Sequence, residues 1–221
     1  MKILFCAYRS WALDVYEVIR KKNPSWELHL VRDNDEFKTF IAKEPELDLI
    51  AAIGWSWIYA PTIVSKYFIV GMHPSDLPNY AGGSPIQHQI LDGITETKAS
   101  LFRLTPELDA GPVLAKAPLS LVGHMSDIFA NLTTTSLALF DILFKNFSAL
   151  EKNRTSVKLI PRKRLTPELS QLTKEKLAAM SCVELYNFIR CREDPYPNVY
   201  IKDATGSITF KLVEFKTHTD L

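Results

Sequence analysis

The first half of the chain alternates between short apolar segments rich in β-forming residues and segments whose apolar residues recur at helical spacing. Four segments predict buried strands: "KILFCAY", "WELHLVR", "LDLIAAIG" and "FIVGMH". Between them, three segments predict helices: "ALDVYEVIRKK", "DEFKTFIAKE" and "PTIVSKY", the last beginning at Pro61. Strands that alternate with helices form a mostly parallel sheet with helices on both faces. The pattern therefore predicts an α/β chain with a Rossmann-like, mostly parallel sheet.

The middle of the chain continues this pattern. "SPIQHQILDG" predicts a helix with Ser84 as N-cap, Pro85 at the first position and Gly93 closing it. "KASLFRL" and "PVLAKAPLSL" predict two further strands, and a long helix is expected over about residues 126–151.

The character of the sequence changes at "SVKLIPRKRLTPELSQLT", whose prolines and charges predict a linker. Beyond it, "CVELYNFIRCRE" predicts an amphipathic helix, and "PYPNVYIKDATGSITFKLVEF" predicts two strands around a turn at Asp203–Gly206. We therefore expect a main domain over residues 1–155 and a small C-terminal α+β appendage over residues 156–221.

The composition and the absence of several motifs exclude a number of functional classes. A net charge of +1 provides no field to attract nucleic acid or an anionic membrane, so we expect neither partner. Three cysteines without a CxxC pair predict buried thiols, and with no signal-peptide pattern they favour a cytoplasmic protein. The sequence lacks the GxGxxG, P-loop, HExxH and GxSxG patterns, which argues against a dinucleotide site, metal catalysis and a serine hydrolase.

Two polar residues remain as candidates for chemistry. His73 follows the fourth predicted strand, in "GMHPSDLPNYAGGSPIQHQ", and ligands of such sheets bind at the carboxyl ends of the strands. The glycines of "AGG" are expected to leave backbone amides near the next helix, where they can bind an anion or a polarised carbonyl. Asp109 in "LDAGPV" is expected on a tight turn. On local sequence alone, a structural histidine, a turn aspartate and a core role for "GWSWIY" all stay open.

Taken together, these segments resemble a known family. "HPSDLPNYAGGSPIQHQILDG" and "TKASLFRLTPELDAGPVLAK" contain His-x-Ser-x-Leu-Pro, Gly-x-x-Pro-Ile and Leu-Asp-x-Gly-Pro, in the order of the formyltransferases that use N10-formyltetrahydrofolate. The likeness includes "IGWSWIYAP" and "IRCREDPYPNVYI", so it covers most of the chain.

The resemblance implies transfer of a formyl group from N10-formyltetrahydrofolate to a primary amine, without a metal. It implies that His73 polarises the formyl oxygen and that Asp109 orients the imidazole. The folate-binding residues it implies lie in one loop and at two acidic positions: Gly54, Trp55, Ser56, Trp57, Ile58, Asp109 and Asp127. The acceptor-binding residues it implies surround the histidine loop: Arg9, Ser75, Asn79, Tyr80, Gly83, Ser84 and Gln87.

One position departs from the family pattern. The family places an asparagine two residues before the histidine, and here that residue is Gly71. Three outcomes are open: Ser56, Ser84 or Gln87 supplies the missing polar group; the reaction uses two side chains and backbone donors; or activity is lost. Loss of one oxyanion donor costs about a hundred- to a thousandfold in rate.

The acceptor follows from the resemblance by elimination. Methionyl-tRNA formyltransferases carry a fuller C-terminal module and a basic surface, whereas sugar N-formyltransferases have shortened C-terminal regions. The nearly neutral chain therefore favours a nucleotide-linked 4-amino-4-deoxy sugar, as used in lipopolysaccharide biosynthesis, with Arg9 facing its diphosphate. Transfer to tRNA or another amine, hydrolysis of the donor and binding without catalysis remain alternatives. A homodimer through an exposed strand is a further possibility.

Overall fold

A computed structural model describes residues 1–106, 111–152 and 161–217. Six strands of the described chain form one sheet in the order β2-β1-β3-β4-β5-β6. Their bounds are β1 Lys2–Cys6, β2 Glu27–Val31, β3 Leu49–Ala52, β4 Ile69–His73, β5 Glu96–Arg103 and β6 Val113–Ser120. The first four strands in this order pair in parallel, whereas β4–β5 and β5–β6 are antiparallel. The predicted mostly parallel sheet is confirmed.

Helices cover both faces of the sheet. The α-helices of the described residues are α1 Ser10–Lys22, α2 Asn34–Ile41, α3 Pro61–Lys66, α4 Pro85–Leu91, α5 Met125–Lys145, α6 Phe147–Leu150, α7 Lys174–Ala179 and α8 Cys182–Arg190, and a short 3-10 helix spans Pro167–Ser170. Along β1, Ile3 and Phe5 pack under α1 and α5, while Leu4 and Cys6 pack under α2 and α3. This alternation follows from the two-residue period of a strand, and a strand buried on both faces is apolar at every position.

The long helix expected over residues 126–151 is interrupted. It divides at Asn146 into α5 and α6 because the Asn146 side chain donates to the Ile142 carbonyl at 2.9 Å and competes with the backbone ladder. Among the described helices, α5 is long and apolar enough to cross a membrane by length and composition. Its buried residues, such as Ile128 and Leu132, belong to the larger core cluster.

The end of the chain packs against the sheet domain. Arg190 of α8 is buried and donates to the carbonyls of Leu121 and Gly123, both at 2.8 Å. Buried Glu193 accepts from the Met125 amide at 3.0 Å and lies 2.7 Å from His124, so it holds the start of α5. The predicted C-terminal strands form an antiparallel hairpin, β7 Val199–Lys202 and β8 Ser207–Phe210.

Two expectations about the second half need comment. The predicted domain boundary between residues 155 and 156 lies outside the described residues, so it stays a prediction. Of the three cysteines, Cys6 and Cys191 are buried as expected, and burial raises their thiol pKa values to about 12 and about 11. Cys182 is exposed at the start of α8, contrary to expectation.

Candidate functional site

The sheet places two loops side by side at its carboxyl edge. Strand order reverses between β1 and β3, and ligands of open α/β sheets bind at such a switch point. The aromatic loop, residues 54–60, follows β3 at this point. The histidine loop, residues 74–84, follows β4, the next strand in the sheet. The predicted folate and acceptor residues therefore fall largely on neighbouring loops.

His73 is the last residue of β4 and is 7% exposed. Its Nε2 lies 2.8 Å from the backbone carbonyl of Tyr80. Because a carbonyl oxygen only accepts, Nε2 carries the proton and donates it to this bond. The imidazole is thus held by its own loop in one ring orientation.

Buried hydroxyl groups fasten the histidine loop to the sheet. Ser100 of β5 donates to the Ser75 carbonyl at 2.7 Å and accepts from the Leu77 amide at 3.1 Å. Ser75 is fully buried, and its hydroxyl donates to the Asn79 carbonyl at 2.6 Å. Both the Ser75 hydroxyl, predicted to contact the acceptor, and the Asn79 carbonyl are therefore engaged inside the loop. The Asn79 side chain is on the surface.

An ion-pair group fastens the outer side of the same loop. Lys116 of β6 donates to an Asp76 carboxylate oxygen and, at 2.6 Å, to the Leu77 carbonyl. Lys98 of β5 lies 3.2 Å from the other Asp76 oxygen. Burial alone would raise the Asp76 pKa, but the hydrogen bonds from Lys116 and Lys98 outweigh it and hold the pKa below its ordinary value.

The predicted linker does not run free. Residues 161–165 of its described part (the crossing segment) pass over the histidine loop, and the Gly83 amide donates to the Arg162 carbonyl at 2.9 Å. A Cβ at Gly82 would lie 2.6 Å from that carbonyl, and one at Gly83 would lie 2.5 Å from the Arg164 Cα. Both glycines are therefore needed for close backbone approach. The expectation that the Gly83 amide awaits an anion is wrong, because it already has a partner.

Two more predicted acceptor residues contact the same surroundings. Ser84 occupies the N-cap position of α4, but its hydroxyl does not cap the helix and instead accepts from the Leu165 amide at 3.0 Å. The Tyr80 hydroxyl donates to Asp92 at 2.9 Å, and the Arg162 guanidinium lies 4.3 Å from the centre of the Tyr80 ring. These side chains hold the crossing segment in place.

The aromatic loop has the opposite character. The Trp57 side chain is 38% exposed and Ile58 is 83% exposed. The Trp55 and Trp57 ring centres lie 4.6 Å apart, and Ser56 lies 2.7 Å from the Tyr8 hydroxyl. Within the described residues, the buried Trp55 indole nitrogen has no hydrogen-bond partner. A buried N–H without a partner is costly.

Cationic and polar groups meet beside this loop. The Arg9 guanidinium lies 4.9 Å from the Tyr8 ring centre and 5.9 Å from that of Tyr196. A Cβ at Gly54 would lie 3.0 Å from Arg9 Cγ, so the aromatic loop packs directly on this arginine. Burial raises the Tyr196 pKa, while a hydrogen bond with the buried Gln87 side chain and the charge of Arg9 partly oppose this rise.

A cleft of about 650 Å³ opens between the start of α1, the first half of α5 and the C-terminal part of the chain. Residues from all three elements line it: Tyr8, Arg9, Ser10, Trp11, Asp14, Ser126, Phe129, Ala130, Thr133, Asp194 and Pro195. Arg9 joins this cleft to the aromatic loop. His73 is not among the lining residues.

The space beside Gly71 is filled by apolar atoms. The nearest atoms to a Cβ built there would be Leu104 Cδ1 at 2.8 Å and Phe102 Cε1 at 2.9 Å. None of the three candidates for the missing polar group stands at this point, since these closest atoms come from Leu104 and Phe102. The sequence did not indicate this, because nothing in it links residue 71 to residue 102.

Two predicted acidic residues have different outcomes. Asp109 lies outside the described residues, so its proposed meeting with His73 stays a prediction. The Asp127 carboxylate accepts from the His124 amide at 2.8 Å and so caps α5, which gives it a structural role. In the described ranges, no group of three or more His, Cys, Asp or Glu side chains could hold a metal ion.

Residues 10–131, more than half of the chain, match the family model described as formyl transferase. A methionyl-tRNA formyltransferase from Wolbachia pipientis is 28% identical over 192 residues, which is 85% of this chain and 60% of that protein. The chain thus spans about three-fifths of the length of this relative.

Solved structures with the same architecture include two kinds of formyltransferase. A methionyl-tRNA formyltransferase from Clostridium thermocellum has a TM-score of 0.84 and 25% identity, covering 98% of this chain and 94% of that chain. A sugar N-formyltransferase from Shewanella has a TM-score of 0.73 and 12% identity, covering 98% and 99%. At 12% identity the second likeness concerns the fold alone.

Proposed function

Because the chain belongs to the formyl transferase family, we propose that it transfers the formyl group of N10-formyltetrahydrofolate to a primary amine. The observation that carries the proposal is the position of His73, fixed at the carboxyl edge of the sheet beside the switch-point loop. A histidine held in one orientation next to an exposed aromatic loop suits acyl transfer to a bound acceptor.

The transfer makes one bond and breaks another. The amine nitrogen attacks the formyl carbon and loses a proton, the bond from that carbon to N10 breaks, and N10 takes up a proton. Between these events the formyl oxygen carries negative charge. We place the His73 ring against that oxygen through Nδ1, because Nε2 already donates to the Tyr80 carbonyl. Nδ1 donates there only in the imidazolium form, and a positioned donor lowers the barrier by about 3–4 kcal/mol. Asp109, as the resemblance implies, would orient the ring.

The aromatic loop is the proposed donor site. The Trp57 ring offers an exposed face for a pterin. Gly54, Ser56 and Ile58 complete this loop and stay in the proposal as donor-binding positions. Asp127 stays as a border residue, with its carboxylate already engaged at the start of α5.

For the acceptor we propose a nucleotide-linked 4-amino-4-deoxy sugar. The cleft of about 650 Å³ lies within the usual range for small ligands of about 300–1,000 Å³. Arg9 lines it and would face the diphosphate, with Gln87 and Tyr196 adjoining. The loop residues predicted to bind the acceptor, from Ser75 to Ser84, do not line this cleft and would act by holding the His73 loop in place.

Methionyl-tRNA is the second candidate acceptor, supported by the relatives named above. Chain length does not separate the two candidates, because the C. thermocellum protein is covered to 94%. The exposed basic run Arg162–Arg164 adds a surface that could contact phosphates.

An acceptor panel tests the proposal. The purified protein receives labelled formyl donor with nucleotide-linked 4-amino sugars, methionyl-tRNA, free amino acids or no acceptor. Label on the sugars supports the proposed acceptor. Label on tRNA alone overturns the sugar as acceptor but still supports formyl transfer. Loss of donor without an acceptor indicates a hydrolase, and tight donor binding without any transfer indicates a binding protein. Arg9→Ala should raise KM for the accepted substrate about tenfold or more, with Arg20→Ala near the other end of α1 as control.

A further inference from the structure

Phe102 fills the space that a side chain at residue 71 would take. The two residues face each other across β4 and β5. The ring atoms Cε1 and Cζ lie 2.9 and 3.0 Å from the point where a Cβ of Gly71 would stand. Gly71 and His73 are two residues apart on one strand, so both face the same side of the sheet. The Phe102 ring therefore occupies the face of β4 that carries the histidine.

The same ring packs against the histidine loop. Phe102 is 6% exposed and belongs to one buried cluster with Leu77 and Ala81 of that loop. Ala81 follows Tyr80, whose carbonyl accepts from His73 Nε2. The register of β5 and β6 shifts between Leu101 and Phe102, and such irregularities redirect side chains beside active sites. The ring is thus linked to the imidazole through Ala81 and its neighbour Tyr80.

We propose that Phe102 is a positioning residue for His73: its ring, admitted by Gly71, holds the loop so that the Tyr80 carbonyl fixes the imidazole. The role of this positioning in catalysis rests on the proposed function, but the positioning itself does not. The position of the Phe102 ring also explains why residue 71 must be glycine, since any side chain there would displace the ring.

Two variants of opposite volume test the proposal. Phe102→Ala removes the ring, and Gly71→Ala pushes it aside without opening a cavity. Both should release the Tyr80 carbonyl, so NMR should show the His73 Nε2 proton exchanging with water roughly tenfold faster than in the parent protein. The His73 signal is assigned from its loss in His73→Gln. Phe102→Leu, which keeps most of the apolar volume, should restore slow exchange.

The control is Phe37→Ala, which removes a buried ring from the α2 side of the core. It should lower stability without changing exchange at His73. Unchanged exchange in both Phe102→Ala and Gly71→Ala would overturn the proposal, as would equally fast exchange in Phe37→Ala. Should Phe102→Ala not fold, Gly71→Ala and Phe102→Leu still decide. A parent protein without transferase activity would defeat the proposed function and leave the exchange result valid.

Discussion

The histidine loop and the aromatic loop lie on adjacent strands and differ in how they use their polar groups. In the histidine loop, the Ser75 hydroxyl, the Leu77 amide and the Asp76 carboxylate all have partners in the protein. In the aromatic loop, the Trp55 indole N–H has none among the described residues, and the Trp57 ring faces solvent. In the proposed function, the first loop holds the His73 imidazole still and the second receives the folate donor.

The largest expected effect comes from the imidazole itself. His73→Ala should lower kcat/KM for formyl transfer by about a hundred- to a thousandfold, because the developing oxyanion loses its donor. Steady-state kinetics with the accepted amine measure this loss. His29→Gln, which changes a half-buried histidine on β2, is the control and should keep full activity. Activity in His73→Ala equal to that of the parent protein would show that His73 takes no part in formyl transfer.

Removing the hydrogen bonds between Ser100 and the histidine loop (the Ser100 clamp) should lower the stability of the protein. Ser100→Ala leaves the Leu77 amide and the Ser75 carbonyl without that partner, and we expect a loss of about 1–3 kcal/mol in the free energy of unfolding. Urea denaturation measures it. Ser136→Ala removes an equally buried hydroxyl that bonds only within α5, to the Leu132 carbonyl, and should cost less. Equal losses would show that the clamp has no special role.

The aromatic loop should respond in binding and not in stability. Trp57→Ala should weaken donor binding about tenfold, since aromatic stacking contributes about 1–3 kcal/mol per ring. Calorimetric titration with the folate donor measures the change. Phe215→Ala is the matched control, because that ring is 39% exposed and lies in the C-terminal part of the chain. A large loss of stability in Trp57→Ala would contradict a ligand-receiving loop.

The smallest expected effect is a pH dependence at Asp76. Its pKa is lowered in the folded protein, so its stabilisation is present above the unfolded value of about 3.9 and is lost as pH falls through the lower, folded value. Asp76→Asn should therefore be less stable than the parent near pH 6, by less than about 1 kcal/mol for a carboxylate one-third exposed.

The same comparison at lower pH completes this test. The difference between parent and Asp76→Asn should shrink as pH falls below about 4. Thermal unfolding at both pH values measures it, with the exposed Asp35→Asn as control. A difference that persists unchanged in acid would mean that the charge of Asp76 does not fasten the loop.

Local patterns predicted the elements well, because they depend on nearby residues. The helix beginning at Pro61, the strand ending at His73 and the hairpin turn near Asp203 all follow from short-range rules. The family motif added the proposed donor and the proposed class of acceptor. The interruption at Asn146 was missed because a side chain competing for a carbonyl leaves no signal in apolar spacing.

Contacts between distant residues could not be predicted in this way. The crossing segment meets Gly83 across some 80 residues of sequence, and Phe102 fills the space at Gly71 from another strand. Each depends on the packed fold, and each changes how the site is interpreted. The Gly83 amide is no longer a free donor, and apolar atoms fill the space that a side chain at residue 71 would take.

A crystal structure with a non-transferable analogue of N10-formyltetrahydrofolate tests the central claim most directly. The quantity to measure is the distance from the analogue's carbonyl oxygen to the nearest His73 ring nitrogen. We predict about 2.6–3.2 Å, the reach of a hydrogen bond, with the pterin against Trp57. An analogue bound elsewhere, for example against Phe129, with its carbonyl far from His73, would contradict the account.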